Sequence, residues 1–198
     1  MATKFEYNNT ASTDTGPYGA NWEGQTFTPV VSHKIILIKL RVYRNGSPGT
    51  VTVSIRATTD GLPTGADLAS GTFNGNAITT ATAGEIVEIT LSASVALIAG
   101  TVYAIVFRAP SGDASNWLGA KVSTTPADPN PYARGQSVTS TDSGGTWGVY
   151  DGSLDYWFEE WGIVGGGSLW VEGLKLRYTD GTNDTEQATK YEGEQETF

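Results

Sequence analysis

Apolar and polar residues alternate along most of this chain. Between residues 34 and 44, Ile36, Ile38, Leu40 and Val42 fall on one face, and Lys39, Arg41 and Tyr43 on the other; Ile35 and Leu37 break the pattern. A period of two marks a strand buried on one side. Residues 50–56 repeat it, with Val51, Val53 and Ile55 set against Thr52, Ser54 and Arg56. The linking NGSPG of residues 45–49 combines residues that accept positive φ with a proline that cannot continue a ladder. The two strands are therefore expected to pair as a β-hairpin with a polar outer face.

Further strands follow from the same reading. Residues 4–7 form a short edge strand, and residues 22–27 form one that ends at Pro29 with Phe27 inward. Residues 58–71 hold Asp60-Gly61, Pro63 and Gly65, which predict a long connection anchored by Leu62 and Leu68. A short strand is expected at 71–74 and a polar edge at 77–82. Residues 85–92 place Val87, Ile89 and Leu91 inward. Residues 101–108 are apolar on both faces, which marks a central strand or a face covered by a partner. A strand at 117–123, a hairpin at 138–149 and a last strand at 155–161 complete the series. In the last, Tyr156 and Phe158 share one face, and Trp157, Glu159 and Trp161 the other.

No window has helical periodicity, and strands recur about every 8–12 residues with turn signals between them. The expected fold is all-β, a jelly-roll-like antiparallel β-sandwich with a short C-terminal β-hairpin extension. Residues 1–21 are expected to form an N-terminal arm and residues 22–164 the sandwich. Gly165-Gly166-Gly167 acts as a hinge to residues 165–198, a hairpin turning at Glu172-Gly173 with an acidic tail. A lone hairpin cannot bury a core, so Trp170, Leu176 and Tyr178 are expected to pack on the sandwich or on a neighbouring molecule, as assembly residues.

Composition narrows the function. A chain of 198 residues suits one sizeable β domain that needs no staples. With no cysteine, disulfides, thiolate metal sites and a thiol nucleophile are excluded. A formal net charge of -9 argues against nucleic acid and anionic membrane as partners. The first residues lack an apolar h-region, and no stretch approaches the ~18 apolar residues of a membrane span. The expectation is a protein made in a host cytoplasm without a signal peptide.

Several segments carry a resemblance. GQTFTP from Gly24, LRVYRNGSPGTVTVSIRAT, DGLPTGADLASG, AGTVYAIVFRAPSGDASN and the closing FEEWG occur in order over residues 22–162. Together they resemble the β-sandwich domains of bacteria and phages called choice-of-anchor domains. SLWVEGLKLRY, from Ser168, resembles a short LWVEG-type segment near the ends of phage structural proteins, although Leu176-Arg177-Tyr178 stands where that segment has Leu-His-Tyr. The resemblance implies a virion component: a capsid decoration, fibre or tail-associated subunit whose partners are other virion proteins and copies of itself.

Candidate chemistry is sparse. STDSGGTW at residues 140–147 fits S-x-D-x-G-x-T-W, the Asp-box pattern, once, through Ser140, Asp142, Gly144, Thr146 and Trp147. A single copy reads as a self-capping hairpin turn. Asp60, Asp67 and Asp113 in Gly-rich loops raise a structural calcium, but without EF-hand spacing they read first as Asx-turn residues. No other cofactor and no catalytic metal is implied. Trp117, Tyr132, Trp147, Tyr150, Trp157 and Trp161 serve either as core and interface or as a sugar-stacking platform, for which Trp117 and Tyr150, beside loops, are the candidates. Glu159 and Glu160 are adjacent and point to opposite faces, which is not a hydrolase pair. His33 is the one histidine, and no nucleophile-elbow motif accompanies it. The chain therefore reads as non-enzymatic, with a carbohydrate-binding module as the alternative to the virion subunit.

Overall fold

A computed structural model describes residues 1–124 and 132–164. The predicted hinge and hairpin with Trp170, Leu176 and Tyr178, and residues 125–131, lie outside the described residues. The strands are β1 (Thr3–Asn8), β2 (Thr13–Thr15), β3 (Trp22–Phe27), β4 (His33–Asn45), β5 (Thr50–Thr59), β6 (Leu62–Asn74), β7 (Glu85–Leu97), β8 (Tyr103–Arg108), β9 (Trp117–Ser123), β10 (Ser137–Ser140), β11 (Gly148–Val149), β12 (Asp155–Tyr156) and β13 (Phe158–Ile163). They form two antiparallel sheets, one of seven strands and one of six, so the fold is an all-β sandwich.

The long strand β4 is the axis of the seven-stranded sheet. Along one side it pairs with β7; along the other it pairs first with β13 and then, from Val42 to Asn45, with β9. β1 lines the far edge of β13 and β2 that of β9. Residues 1–21, expected as an N-terminal arm with an edge strand at residues 4–7, contribute β1 and β2 to this sheet. The other sheet runs β11-β10-β3-β8-β5-β6.

The apolar alternation is the core. Ile38, Leu40, Val42, Ile89, Val122 and Phe158 face Phe27, Val51, Val53, Ile55, Ile105 and Phe107 across the sandwich, all nearly or fully buried. Each such side chain contributes roughly 1.5–3 kcal/mol relative to exposure. The break in alternation at Ile35 is a bulge: the β4–β7 register shifts between Ile35 and Leu37, so Ile35 is buried in place of Ile36. β8 is a central strand, as its two apolar faces predict.

Four expectations fail. β4 and β5 do not form a hairpin, because they lie in opposite sheets and residues 45–49 cross between them as an arch. The arch is held by neighbouring loops: Ser47 N–H donates to Asn116 Oδ1 (2.7 Å) and Gly49 N–H to Asn76 Oδ1 (2.9 Å). Residues 58–71 are not a long connection. Asp60 and Gly61, both at positive φ (52° and 76°), close a two-residue hairpin between β5 and β6. Leu68 does not anchor anything, being 45% exposed; Pro63 and Ala69 are the buried residues there. β6 is a sheet edge, which is where a strand tolerates Pro63 and a bulge. The expected edge strand at 77–82 is also absent: a single 3₁₀ turn, Gly75–Ala77, precedes irregular chain.

Candidate functional site

The pairing of β2 with β9 builds a shallow cleft of about 280 Å³ lined by Asp14, Thr15, Gly16, Tyr18, Ala114 and Trp117. Trp117 opens β9 and supplies its aromatic wall. Gly16 lies flat against the indole, since a Cβ there would meet Trp117 Cε3 at 2.6 Å. On another side, Tyr43 packs edge-on to the indole, with centroids 5.5 Å apart. The Tyr43 ring lies over Gly119, which leaves no room for a side chain at that position. Its hydroxyl donates to Asp14 Oδ1 (2.9 Å), and Lys121 Nζ donates to Asp14 Oδ2 (3.1 Å). Burial, followed by the hydrogen bond and charge of Asp14, pushes the Tyr43 phenol well above its ordinary value, so it stays a donor.

The loop on the opposite lip is fixed by Asp113. Its Oδ1 accepts from Ser115 N–H (2.7 Å) and Asn116 N–H (2.9 Å), which is Asx-turn chemistry. These bonds hold the exposed Asp113 carboxyl below its ordinary pKa. The cleft therefore has an immobilised indole, a fixed carboxylate and a hydroxyl: an apolar ring face with polar groups around it.

Behind the cleft stands Glu23. Its Oε2 accepts from Thr15 Oγ1 (2.6 Å) and from the Tyr156 hydroxyl (3.0 Å). Burial drives its carboxyl from 4.5 up to about 7, against the lowering effect of those two bonds. Sequence reasoning missed Glu23, and also Asp14, Thr15, Gly16 and Tyr18. The signal for Glu23 was the alternation in WEGQTF, which puts Glu23 and Gln25 on the same inward face as Phe27.

Tyr150 does not line the cleft. It follows β11 at the edge of the six-stranded sheet, 43% exposed, while Trp117 belongs to the seven-stranded sheet. Its phenol is raised by burial and by the carboxylates of Glu23 and Asp151. The two sugar-stacking candidates are thus not brought into one platform. Of the other aromatics, Tyr132 and Trp157 are buried, and Trp161 lies on the outer face under Lys39 Nζ, 4.7 Å from its ring.

His33 is locked in the interior. Its Nδ1 lies 2.7 Å from the Val31 carbonyl and its Nε2 lies 2.7 Å from Glu160 Oε1, with both side chains fully buried. The carbonyl can only accept, so Nδ1 carries a proton and Nε2 shares one with Glu160. Burial alone would lower the His33 pKa; the hydrogen bonds to Glu160 and Val31 outweigh it and hold the imidazole above its ordinary value. Phe5 stacks on the ring at 3.7 Å. Next to this pair, Glu6 accepts from Val30 N–H, the Tyr132 hydroxyl and Arg134. This network ties β1, β4 and β13 together through Glu6, His33 and Glu160.

The Asp-box segment is a self-capped turn. Asp142 Oδ1 accepts from Ser140 Oγ and Thr146 N–H, and Oδ2 accepts from Thr146 Oγ1, each at 2.8 Å. The three loop aspartates are not assembled: Asp67 pairs with Arg56 and Arg108, Asp113 caps its own turn, and among the described residues no group of three metal-ligating side chains occurs. No protein-family model matches the chain, and no curated protein matches it.

Proposed function

We propose that this chain is a non-enzymatic structural subunit of a virion, a decoration, fibre or tail-associated protein that works by assembly rather than by chemistry. The observation that carries the reading is the ordered run of choice-of-anchor-like segments over residues 22–162 followed by the SLWVEGLKLRY segment. The sandwich suits such a role because its stability rests on its own core. Trp170, Leu176 and Tyr178 are the residues assigned to assembly, through area burial with other virion proteins or copies of the same chain. The test is incorporation: the full chain copurifies with particles, whereas a chain ending at Val164 folds and stays free. A truncated chain that still joins particles would remove residues 165–198 from assembly.

The cleft favours a second, compatible reading, in which the subunit also holds a glycan. Trp117 stacks on a sugar ring, and Asp14 and Thr15 take its hydroxyls; Tyr150 is outside this subsite. Such shallow single-ring sites bind in the millimolar to micromolar range. On a glycan screen, Trp117→Ala is expected to lose up to about tenfold in affinity for any sugar that binds, since aromatic contact is worth about 0.5–1.5 kcal/mol. Tyr150→Ala is expected to bind as the parent does. A sugar bound equally by Trp117→Ala would place its site elsewhere.

A further inference from the structure

The outer face of the six-stranded sheet carries a cluster that neither reading uses. Arg56 on β5 and Arg108 on β8 stack on the same indole: their Cζ atoms lie 5.5 and 4.6 Å from the Trp22 ring centroid. β6 bulges opposite Arg56, because Ile55 pairs with Ala69 but Ala57 with Thr64. The bulge delivers Asp67, whose Oδ1 accepts from Arg56 Nε (2.8 Å) and whose Oδ2 accepts from Arg108 Nη2 (2.6 Å). Arg108 Nη1 also donates to Ser54 Oγ (3.0 Å). Those bonds outweigh the burial that would raise Asp67, and keep its carboxyl ionised.

One carboxylate faces two guanidiniums, so the cluster keeps one positive charge in excess on a chain whose net charge is -9. Arg56 is only 9% exposed, yet among the described residues only its Nε is hydrogen-bonded; Nη1 and Nη2 are not. Trp22 Nε1 is buried and likewise has no partner. The cost of an unused buried donor falls on the indole N–H, whereas the Arg56 Nη atoms keep access to solvent. The side chains of Arg56, Arg108 and Asp67 remain 11%, 14% and 22% exposed, so solvent reaches the cluster. A guanidinium pre-oriented on an aromatic face, with its fork unpaired, matches a carboxylate or sulfate oxygen pair.

We propose that Arg56, Arg108 and Trp22 form an oxyanion-binding site, separate from the Trp117 cleft, for the carboxylate of an acidic sugar or for a sulfate group. Asp67 holds the arginines in place and competes with the ligand for them.

The test is calorimetric titration of the full chain, at low salt, with a galacturonic acid oligomer, with inorganic sulfate and with a neutral galactose oligomer. Saturable binding of either anion, with none of the neutral oligomer at this site, is expected. Saturation by both anions supports a bare oxyanion site, and by the galacturonate alone a sugar-acid site. Asp67→Asn should tighten anion binding about tenfold by removing the competing charge, and Arg56→Gln should weaken it about tenfold. Trp117→Ala should leave it unchanged, which separates this site from the cleft. Absence of saturable anion binding, or an Asp67→Asn variant that binds no tighter than the parent, would overturn the proposal even if Arg56→Gln fails to fold.

Discussion

Replacing Glu23 with glutamine is expected to stabilise the protein by roughly 3 kcal/mol at pH 8 and to change little at pH 4. Glu23 sits on the inward face of β3, and burial raises its carboxyl to about 7. The folded state therefore binds a proton that the unfolded chain has already released above about pH 4.5. Its contribution is fully present below the unfolded pKa and is lost as pH rises through 7. Glutamine keeps an oxygen for Thr15 and Tyr156 and has no charge to bury. Burial raises Glu160 as well, and His33 is held above its ordinary value, so both act in the same direction and part of the alkaline loss persists in the variant. At the acid end the opposite holds. Asp142, lowered to about 2, and Asp67 contribute stability above the ordinary carboxylate range that is lost as pH falls. Urea titrations of both proteins between pH 4 and 9 measure this. A difference that does not grow with pH would show that Glu23 is not held protonated.

Replacing Phe158 with alanine is expected to cost about 3–5 kcal/mol, a large share of the roughly 5–15 kcal/mol that holds a domain folded. Phe158 is fully buried where β13 pairs with both Leu40 of β4 and Asn8 of β1. Its ring touches Phe27 of the opposite sheet, with centroids 6.3 Å apart, and meets Tyr132 edge-on at 5.0 Å. Truncation would open a cavity between the sheets, and it would also remove support from Tyr132, which donates to Glu6. Thermal and urea unfolding give the loss directly. Phe158→Leu, which keeps most of the volume, should cost far less. Equal losses in the two variants would mean the site does not depend on cavity size.

The strands were legible in the chain because their inward faces alternate; how the strands pair was not. A hairpin within one sheet and an arch between two sheets give β4 and β5 the same apolar pattern, so residues 45–49 read as a turn either way. β6 was hidden by Pro63, Gly65 and Gly71, residues that an edge strand accepts and a central one does not. Ile35 looked like an error in the alternation and is the mark of a bulge. The candidate site shows the same limit. Trp117 could be singled out because an aromatic beside a loop is seldom all core. Its neighbours Asp14 and Thr15 come from β2, and Gly16 directly follows it, more than a hundred residues earlier, and only sheet register brings them to it. Tyr150 looked equivalent to Trp117, yet it directly follows β11, a strand of the other sheet.

The measurement that tests the central claim most directly is the copy number of this chain in purified particles from the lysate in which it is made, by quantitative mass spectrometry. A fixed stoichiometry, on the order of tens to hundreds per particle as closed symmetric assemblies require, is the predicted result. A chain absent from particles and found free in the medium or on cells would contradict the virion reading, and the Trp117 cleft would then stand as the binding site of a free module.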